Sequence, residues 1–263
     1  GEHLSYLSRM IDKNRDSQYI GIVGAGSIGL AWAVVFTTGG YRVRLFDPDR
    51  HRLEVARQEL CDRITDLNKC GLINVDLTDI LASVSMETDI GKTITDVVHV
   101  QECIPEIKEE KEKLFSLLGE LVPGHVPIAS STSFLPMSTL ATTIKNRERC
   151  LVIHPGNPPY LLRIAEIVPA PFTSDDAIRT SAELMVSVGM NPIILRKETK
   201  GFVFNRLQGA LLNEAYSLVQ DGVVSVADID TIVKDGLGLR WSVVGPFETV
   251  DLNTRGGIRK HAE

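Results

Sequence analysis

A histidine and a glutamate in two successive apolar stretches are the residues of this sequence best suited to acid–base chemistry. His154 ends the stretch 151–154 and opens a proline-rich loop, and Glu166 lies inside the stretch 164–168. An imidazole titrates near neutral pH and accepts a proton from a hydroxyl group, and an adjacent carboxylate fixes its tautomer and stabilises its charged form. An unpaired carboxylate in an apolar strand is costly, and a loop between two neighbouring strands could return the chain so that Glu166 meets His154. The spacing alone leaves one alternative open, in which Glu166 lies on an edge strand and faces water.

Two other polar stretches are weaker candidates. The run 130–133, which ends at Ser133, follows an apolar stretch, but such a run is also typical of a plain capped turn. Asn205 and Arg206 lie within the otherwise apolar start of a predicted helix, where they are either buried and hydrogen-bonded or exposed on its far face. Of the other histidines, His99 lies in a buried-looking strand, and we expect it to be a hydrogen-bonded structural residue.

A glycine-rich loop between two apolar stretches predicts a dinucleotide site. The segment 19–23 leads into Gly24-Ala-Gly-Ser-Ile-Gly29, and an apolar helical segment follows. Gly24 permits the tight turn, Gly26 lets the backbone approach a pyrophosphate, and Gly29 lets the helix pack closely against the strand. The phosphates would meet free N–H groups at the positive end of the helix dipole. The alternative is an ordinary strand-to-helix turn, since glycines mark those too.

An acidic residue about 20 positions beyond the start of this loop indicates which dinucleotide binds. Asp47 follows the second apolar stretch, 42–46, where a carboxylate holds a ribose 2′-hydroxyl. Its charge would repel a 2′-phosphate, so NAD is expected rather than NADP. Arg44 and Arg50 lie nearby in the sequence and weaken this preference.

The apolar pattern predicts a Rossmann-like, doubly wound α/β sheet followed by a smaller all-helical domain. The predicted domains are an N-terminal extension at 1–18, an NAD-binding domain at 19–196 and a helical domain at 197–263. Strands are predicted at 19–23, 42–46, 84–86, 97–103, 126–129, 151–154, 164–168 and 191–195, and helices at 30–38, 51–67, 77–84, 107–121, 173–188, 202–219 and 226–233. Two helices have a predicted buried face, one through Leu53, Ala56, Leu60, Ile64 and Leu67 and the other through Leu114, Leu117, Leu118 and Leu121.

The composition excludes several functional classes. The chain has 43% hydrophobic and 24% charged residues, as ordinary globular proteins do, and its net charge of −6 does not attract nucleic acid or an anionic membrane surface. No apolar run approaches the roughly 20 residues that cross a bilayer. The 4 cysteines lack the spacing of a metal site, so we expect no metal, and reduced thiols in a cytoplasmic protein.

Together these motifs resemble the 3-hydroxyacyl-CoA dehydrogenase family over nearly the whole chain from residue 19 to residue 253. The resemblance rests on the glycine loop, the run ending at Ser133, His154 followed by Glu166, and the segment 201–206. It implies an NAD-dependent oxidoreductase in which His154 is the base and Glu166 orients it. It also implies that the reacting oxygen and the histidine are hydrogen-bonded by Ser133 and Asn205, and that NAD contacts Ser27, Ile28, Asp47, Glu106 and Lys111.

Three further stretches, 101–106, 154–160 and 238–247, resemble one branch of that family, the lambda-crystallins, and imply L-gulonate as the substrate. The charge balance agrees, because residues 68–89 hold one lysine and four acidic side chains where a CoA ester would call for basic residues. Arg240 is then a candidate anchor for the substrate carboxylate, or else a surface arginine that caps a turn. The open alternatives are a 3-hydroxyacyl-CoA such as 3-hydroxybutyryl-CoA, L-carnitine, and a crystallin-type structural protein without turnover.

The resemblance also implies a homodimer that forms through the helical domain. Members of the family normally continue through further helices beyond the point that corresponds to residue 263, so we expect the helical domain to be incomplete. The segment 1–18 has no counterpart in the resemblance.

Overall fold

One mixed sheet of eight strands forms the centre of the computed structural model, which describes residues 15–262. The strands are β1 (Tyr19–Val23), β2 (Arg42–Phe46), β3 (Val84–Glu87), β4 (Val97–Glu102), β5 (Ile128–Ser130), β6 (Cys150–Pro155), β7 (Ile164–Pro169) and β8 (Asn191–Ile194). Their order in the sheet is β3-β2-β1-β4-β5-β6-β7-β8. The chain therefore winds outward from β1 in both directions, and the order reverses between β1 and β4, the place where open α/β sheets bind ligands.

Helices connect most of these strands. They are α1 (Ser27–Thr38), α2 (Arg50–Lys69), α3 (Leu77–Ala82), α4 (Ile90–Thr93), α5 (Lys108–Leu121), α6 (Met137–Leu140) and α7 (Asp175–Ser187). One buried cluster packs α1, α2 and α7 against the sheet, and a second packs α5 and α6 against it. The predicted doubly wound fold is confirmed.

The two predicted buried helix faces have different outcomes. In α2, all five predicted side chains are buried, at Leu53, Ala56, Leu60, Ile64 and Leu67. In α5 the prediction is half right: Leu118 is buried and Leu114 packs against the second cluster, but Leu117 and Leu121 are 40% and 46% exposed. The buried face also includes Lys111, Phe115 and Gly119. Lys111 turns inward and pairs with Glu102 of the sheet.

The strands β6 and β7 are antiparallel, whereas every other neighbouring pair is parallel. A parallel connection needs a crossover of a dozen or more residues, usually a helix. Only a short loop separates β6 from β7, so the chain returns directly alongside itself. This local reversal places residues from the end of one strand opposite residues at the start of the next.

The chain divides into two compact units between Asn205 and Arg206. As far as residue 262, the second unit has only helical elements: most of α8 (Phe204–Gln220), α9 (Val226–Ile232), a π-helical turn (Val233–Leu237), α10 (Gly238–Trp241), α11 (Pro246–Asn253) and α12 (Gly257–His261). The predicted domain boundary at 196/197 lies in the loop before α8. Of the predicted extension 1–18, residues 1–14 lie outside the described part of the chain, and Arg15–Ser17 form a 3₁₀ helix. No helix within 15–262 is long and apolar enough to cross a membrane.

Candidate active site

The three glycines at the turn from β1 into α1 have different steric surroundings. Gly24 has a φ of +111°, and a Cβ there would lie 2.7 Å from the carbonyl oxygen of Cys103. A Cβ at Gly29 would lie 1.9 Å from the carbonyl oxygen of Gly24, so α1 passes directly against the turn. At Gly26, by contrast, a Cβ would meet no atom within 4 Å. The turn therefore has open space at the glycine where a pyrophosphate would approach the backbone.

The N-terminus of α1 has no side-chain cap. Gly26 is the N-cap residue, and the first turn has neither a capping hydrogen bond nor an acidic side chain. Its free N–H groups and the positive end of the helix dipole are thus left for an anion. Together with the open space at Gly26, this arrangement fits the diphosphate of NAD.

Asp47 follows β2 and lies beside the glycine loop. Its Oδ2 accepts a hydrogen bond from the Ala25 N–H at 3.3 Å, and its Oδ1 accepts one from the Asp49 N–H at 3.0 Å. The side chain lines a cavity of about 700 Å³ that also includes the loop. Arg44, one of the two arginines that weakened the preference for NAD, lies over the ring of Tyr19 at 3.8 Å. Its charge is therefore held at the Tyr19 ring rather than left free.

His154 and Glu166 are direct neighbours across the antiparallel pair β6 and β7. Nδ1 of His154 lies 2.9 Å from Oε2 of Glu166, and the two side chains are 9% and 3% exposed. Because a carboxylate only accepts hydrogen bonds, Nδ1 carries the proton of the neutral imidazole and Nε2 keeps its lone pair. β7 lies between β6 and β8, which rules out the alternative of an edge-strand glutamate that faces water.

The second oxygen of Glu166 binds the start of α8. Oε1 accepts hydrogen bonds from the N–H groups of Val203 and Phe204 at 2.8 and 2.9 Å. Phe202 precedes them with a left-handed φ of +52°, and its buried ring lies 5.4 Å from the His154 ring. Burial by itself would raise the pKa of Glu166, but the hydrogen bonds from His154 and the two N–H groups outweigh it and hold the pKa below its usual value. Glu166 is therefore charged at neutral pH.

In the other buried histidine, His99, only one of the two ring nitrogens has a hydrogen-bond partner, contrary to the sequence-based expectation. Its Nε2 lies 2.8 Å from Oε1 of Gln101, whereas its buried Nδ1 has no hydrogen-bond partner. Burial lowers the pKa of His99 to about 4, although the hydrogen bond to Gln101 opposes this shift. His99 is therefore neutral at physiological pH.

His154 lines a second cavity of about 410 Å³, which shares Ile28, Cys103 and Ile104 with the first. Within its lining, Nδ2 of Asn205 donates a hydrogen bond to the backbone oxygen of Ser133 at 3.3 Å. The structure thus brings His154, Ser133 and Asn205 to one cavity. The glycine loop and Asp47 border the adjoining space.

Two of the predicted NAD contacts are already engaged with other protein groups. The carboxylate of Glu106 accepts hydrogen bonds from the Thr132 hydroxyl and the Ser133 N–H. The ammonium of Lys111 is 2% exposed and pairs with Oε1 of Glu102 at 2.7 Å. Both residues line the second cavity, so their contacts with NAD stay predictions.

Three cavity residues were not named as candidates from the sequence. Ser131 and Asn157 line the second cavity, and Arg52 lines the first. Ser131 could have been found because it lies in the polar run 130–133, whereas Arg52 is one of many charged residues on an amphipathic helix. Arg240 lies in α10 of the second unit, and its role as a carboxylate anchor stays a prediction. Within residues 15–262, no group of three His, Cys, Asp or Glu side chains is placed to hold a metal ion.

Known proteins are similar to this chain in sequence and in fold. Residues 19–199 match the family model of the 3-hydroxyacyl-CoA dehydrogenase NAD binding domain, and residues 201–263 match that of its C-terminal domain. Lambda-crystallin from Oryctolagus cuniculus is 38% identical over 89% of this chain and 74% of its own length. L-carnitine dehydrogenase from Bacillus cereus is 33% identical over 94% and 75%. The crystal structure of an NAD⁺-dependent dismutase, 5-formyl-3-hydroxy-2-methylpyridine 4-carboxylic acid 5-dehydrogenase, superposes with a TM-score of 0.82 at 30% identity and covers 93% of this chain and 78% of its own.

Proposed function

The chain belongs to the 3-hydroxyacyl-CoA dehydrogenase family and is an NAD-dependent dehydrogenase that acts on a CH–OH group, and we propose that His154 is the base of this reaction. The observation that carries the proposal is the buried contact between His154 Nδ1 and Glu166 Oε2 at 2.9 Å. It leaves Nε2 as the free acceptor, and His154 lines a cavity that adjoins the glycine loop.

In the proposed reaction, His154 Nε2 takes the proton of a secondary alcohol at the 3-position. Bound NAD supplies the hydride acceptor. The charged Glu166 stabilises the imidazolium that forms, and its hydrogen bonds to Val203 and Phe204 keep it from rotating away. Ser133 and Asn205 hold the reacting oxygen and stabilise the charge that develops on it.

We assign NAD to the two adjoining cavities. In the first, the diphosphate would lie against Gly26 and the N–H groups of Ser27 and Ile28, and Asp47 would accept a hydrogen bond from the ribose 2′-hydroxyl. Glu106 and Lys111 line the second cavity together with His154 and would contact NAD there. The fit rests on the open space at Gly26, where a Cβ would meet no atom within 4 Å.

L-Gulonate is the proposed substrate, ahead of L-carnitine and 3-hydroxyacyl-CoA. Asp76 and Asp89 cap α3 and α4 through backbone N–H groups, so these carboxylates are fixed parts of the fold in the acidic stretch 68–89. A CoA ester would bring several phosphate charges to that acidic surface, whereas a compact hydroxy acid would not. The resemblance of the stretches 101–106, 154–160 and 238–247 to the lambda-crystallins, which implies L-gulonate, supports this choice. Arg240 is the proposed partner of the carboxylate.

A substrate panel tests the function directly. The protein and NAD are mixed with L-gulonate, L-carnitine, 3-hydroxybutyrate or 3-hydroxybutyryl-CoA, and the NADH absorbance is followed. We expect NADH with L-gulonate at the highest kcat/KM, and a raised KM for L-gulonate with unchanged NADH affinity in Arg240→Ala. A higher kcat/KM for the CoA ester would refute the substrate assignment, and no NADH with any alcohol would favour a crystallin-type structural role.

A homodimer in the cytoplasm is the proposed state of the protein. The helices α8 and α11 have large exposed apolar side chains, including Leu207, Tyr216 and Phe247 at 66%, 64% and 75%. Such surfaces are typical of interfaces. All four cysteines are free, which suits a reducing compartment. Light scattering after size exclusion should give twice the chain mass, and a monomer at micromolar concentration would refute the dimer.

A further inference from the structure

Asp47 and Arg52 bind the two ends of one residue in the glycine loop. Oδ2 of Asp47 accepts a hydrogen bond from the Ala25 N–H at 3.3 Å, and Nε of Arg52 donates one to the Ala25 carbonyl oxygen at 2.8 Å. Both side chains line the 700 Å³ cavity. The guanidinium is therefore held beside the carboxylate that we assign to the ribose 2′-hydroxyl.

Glu59 occupies the outer nitrogens of this guanidinium. It lies two turns further along α2, and each of its oxygens accepts a hydrogen bond from a different terminal nitrogen of Arg52. This contact is the main cause of the raised pKa of Arg52, to which the charges of Glu59 and Asp47 also contribute. These contacts use three of the five N–H groups, and the two that remain, one on each terminal nitrogen, do not form the parallel pair that binds a phosphate bidentately.

We propose that the Arg52–Glu59 pair is a second determinant of cofactor choice, which acts with Asp47 against the 2′-phosphate of NADP. The 2′-phosphate would bring about two negative charges to the ribose end of the cavity. Arg52 is a cation placed to receive them, but Glu59 takes up its donors and offsets its charge, while Asp47 repels the phosphate. This inference rests on the proposed contact between Asp47 and the ribose.

Arg52 should become a phosphate ligand once its two acidic neighbours, Asp47 and Glu59, lose their charge. Glu59→Gln keeps the shape of the side chain but weakens its hold on the guanidinium. Asp47→Ser removes the repulsion. The affinity for NADPH relative to NADH should therefore rise by more in the double variant than the two single changes predict together. Only in the double variant has the guanidinium lost both its bond to a charged Glu59 and the repulsion of the phosphate by Asp47.

Equilibrium binding of the cofactors and of their adenosine fragments tests the role of Arg52 independently of catalytic activity. Dissociation constants are measured for NADH and NADPH by fluorescence, and for 5′-AMP and 2′,5′-ADP by calorimetry. In an Asp47→Ser background, adding Glu59→Gln should tighten NADPH and 2′,5′-ADP by about tenfold and change NADH and 5′-AMP by less than about threefold. Adding Arg52→Ala should cancel that gain. Arg57→Ala, at another exposed arginine of the same helix, is the matched control and should leave the gain in place.

The outcomes distinguish the proposed ribose contact of Asp47 from the proposed role of Arg52. If Asp47→Ser alone leaves the NADPH-to-NADH ratio unchanged, the ribose contact of Asp47 fails. If the gain survives Arg52→Ala, or disappears equally with Arg57→Ala, the role of Arg52 is refuted. Should Arg52→Ala lose NADH binding through damage to the loop, Arg52→Lys decides instead, since it keeps the charge without the planar fork and should retain less than half of the gain.

Discussion

Glu166→Gln is the substitution that tests the proposed dyad most sharply. The amide has the shape of the carboxylate, so Oε1 can still accept the hydrogen bonds of Val203 and Phe204. The group that faces Nδ1 of His154 then becomes an NH₂ donor. Nδ1 must accept this hydrogen bond, which moves the imidazole proton to Nε2 and removes the lone pair that takes the proton of the alcohol.

The size of the effect follows from the contact of 2.9 Å between Nδ1 and Oε2. Two opposite unit charges whose centres lie about 4 Å apart attract by about 4 kcal/mol at an effective dielectric constant of about 20. Both side chains are almost fully buried, so solvent screening reduces this little. At about 1.4 kcal/mol for each factor of ten, the loss of this stabilisation should lower kcat by about 10³.

The assay compares kcat, the dissociation constant of NADH and the unfolding curve in the wild type, Glu166→Gln and the exposed control Glu120→Gln. We expect the loss in kcat with NADH affinity within about threefold, because the dinucleotide is bound by the glycine loop. The depressed pKa of Glu166 adds a second readout. Its stabilising contribution is present above a pH of about 4.5 and is lost as the pH falls through the lower folded pKa, so Glu166→Gln should flatten the acid side of the stability curve. A kcat within tenfold of the wild type would refute the reasoning.

Three further predictions address other parts of the protein. His154→Gln should abolish turnover and leave NADH affinity nearly intact; more than about a tenth of the normal kcat would exclude His154 as the base. Gly26→Ala should weaken NADH at least tenfold with a Tm change under about 2 °C, because the new Cβ meets open space in the protein but lies where the pyrophosphate approaches, while Gly29→Ala should destabilise the fold itself. His99 remains neutral in the folded protein down to a pH of about 4, so the wild type should lose roughly 2 kcal/mol of stability between about pH 7 and pH 4.5 as the unfolded chain takes up a proton. His99→Gln should lack this loss in urea titrations, and an unchanged loss would contradict the assignment.

Local pattern was sufficient for most of the fold. Alternating apolar strands and amphipathic helices predicted the doubly wound sheet, because each element repeats with its own short period and buries one face. The limit is visible in α5, where two of the four predicted leucines, Leu117 and Leu121, are exposed and Lys111 is buried instead. There the partner of Lys111, Glu102, lies on a separate strand, and no local period contains that contact.

The residue types and their spacing by themselves determined the glycine turn, the acid that follows it and the choice of His154 as the one histidine at a strand end. Only the tertiary structure decided that Glu166 meets His154, since that contact depends on the register of two antiparallel strands. It also decided that the N–H groups of Val203 and Phe204 donate hydrogen bonds to the second oxygen of Glu166. The position of Arg52 beside Asp47 likewise depends on the tertiary structure. The physical reason is the same in each case. The spacing of hydrophobic residues along a helix or strand can be read from residues that are close in the sequence. A hydrogen bond between buried polar groups instead depends on where distant segments of the chain come together.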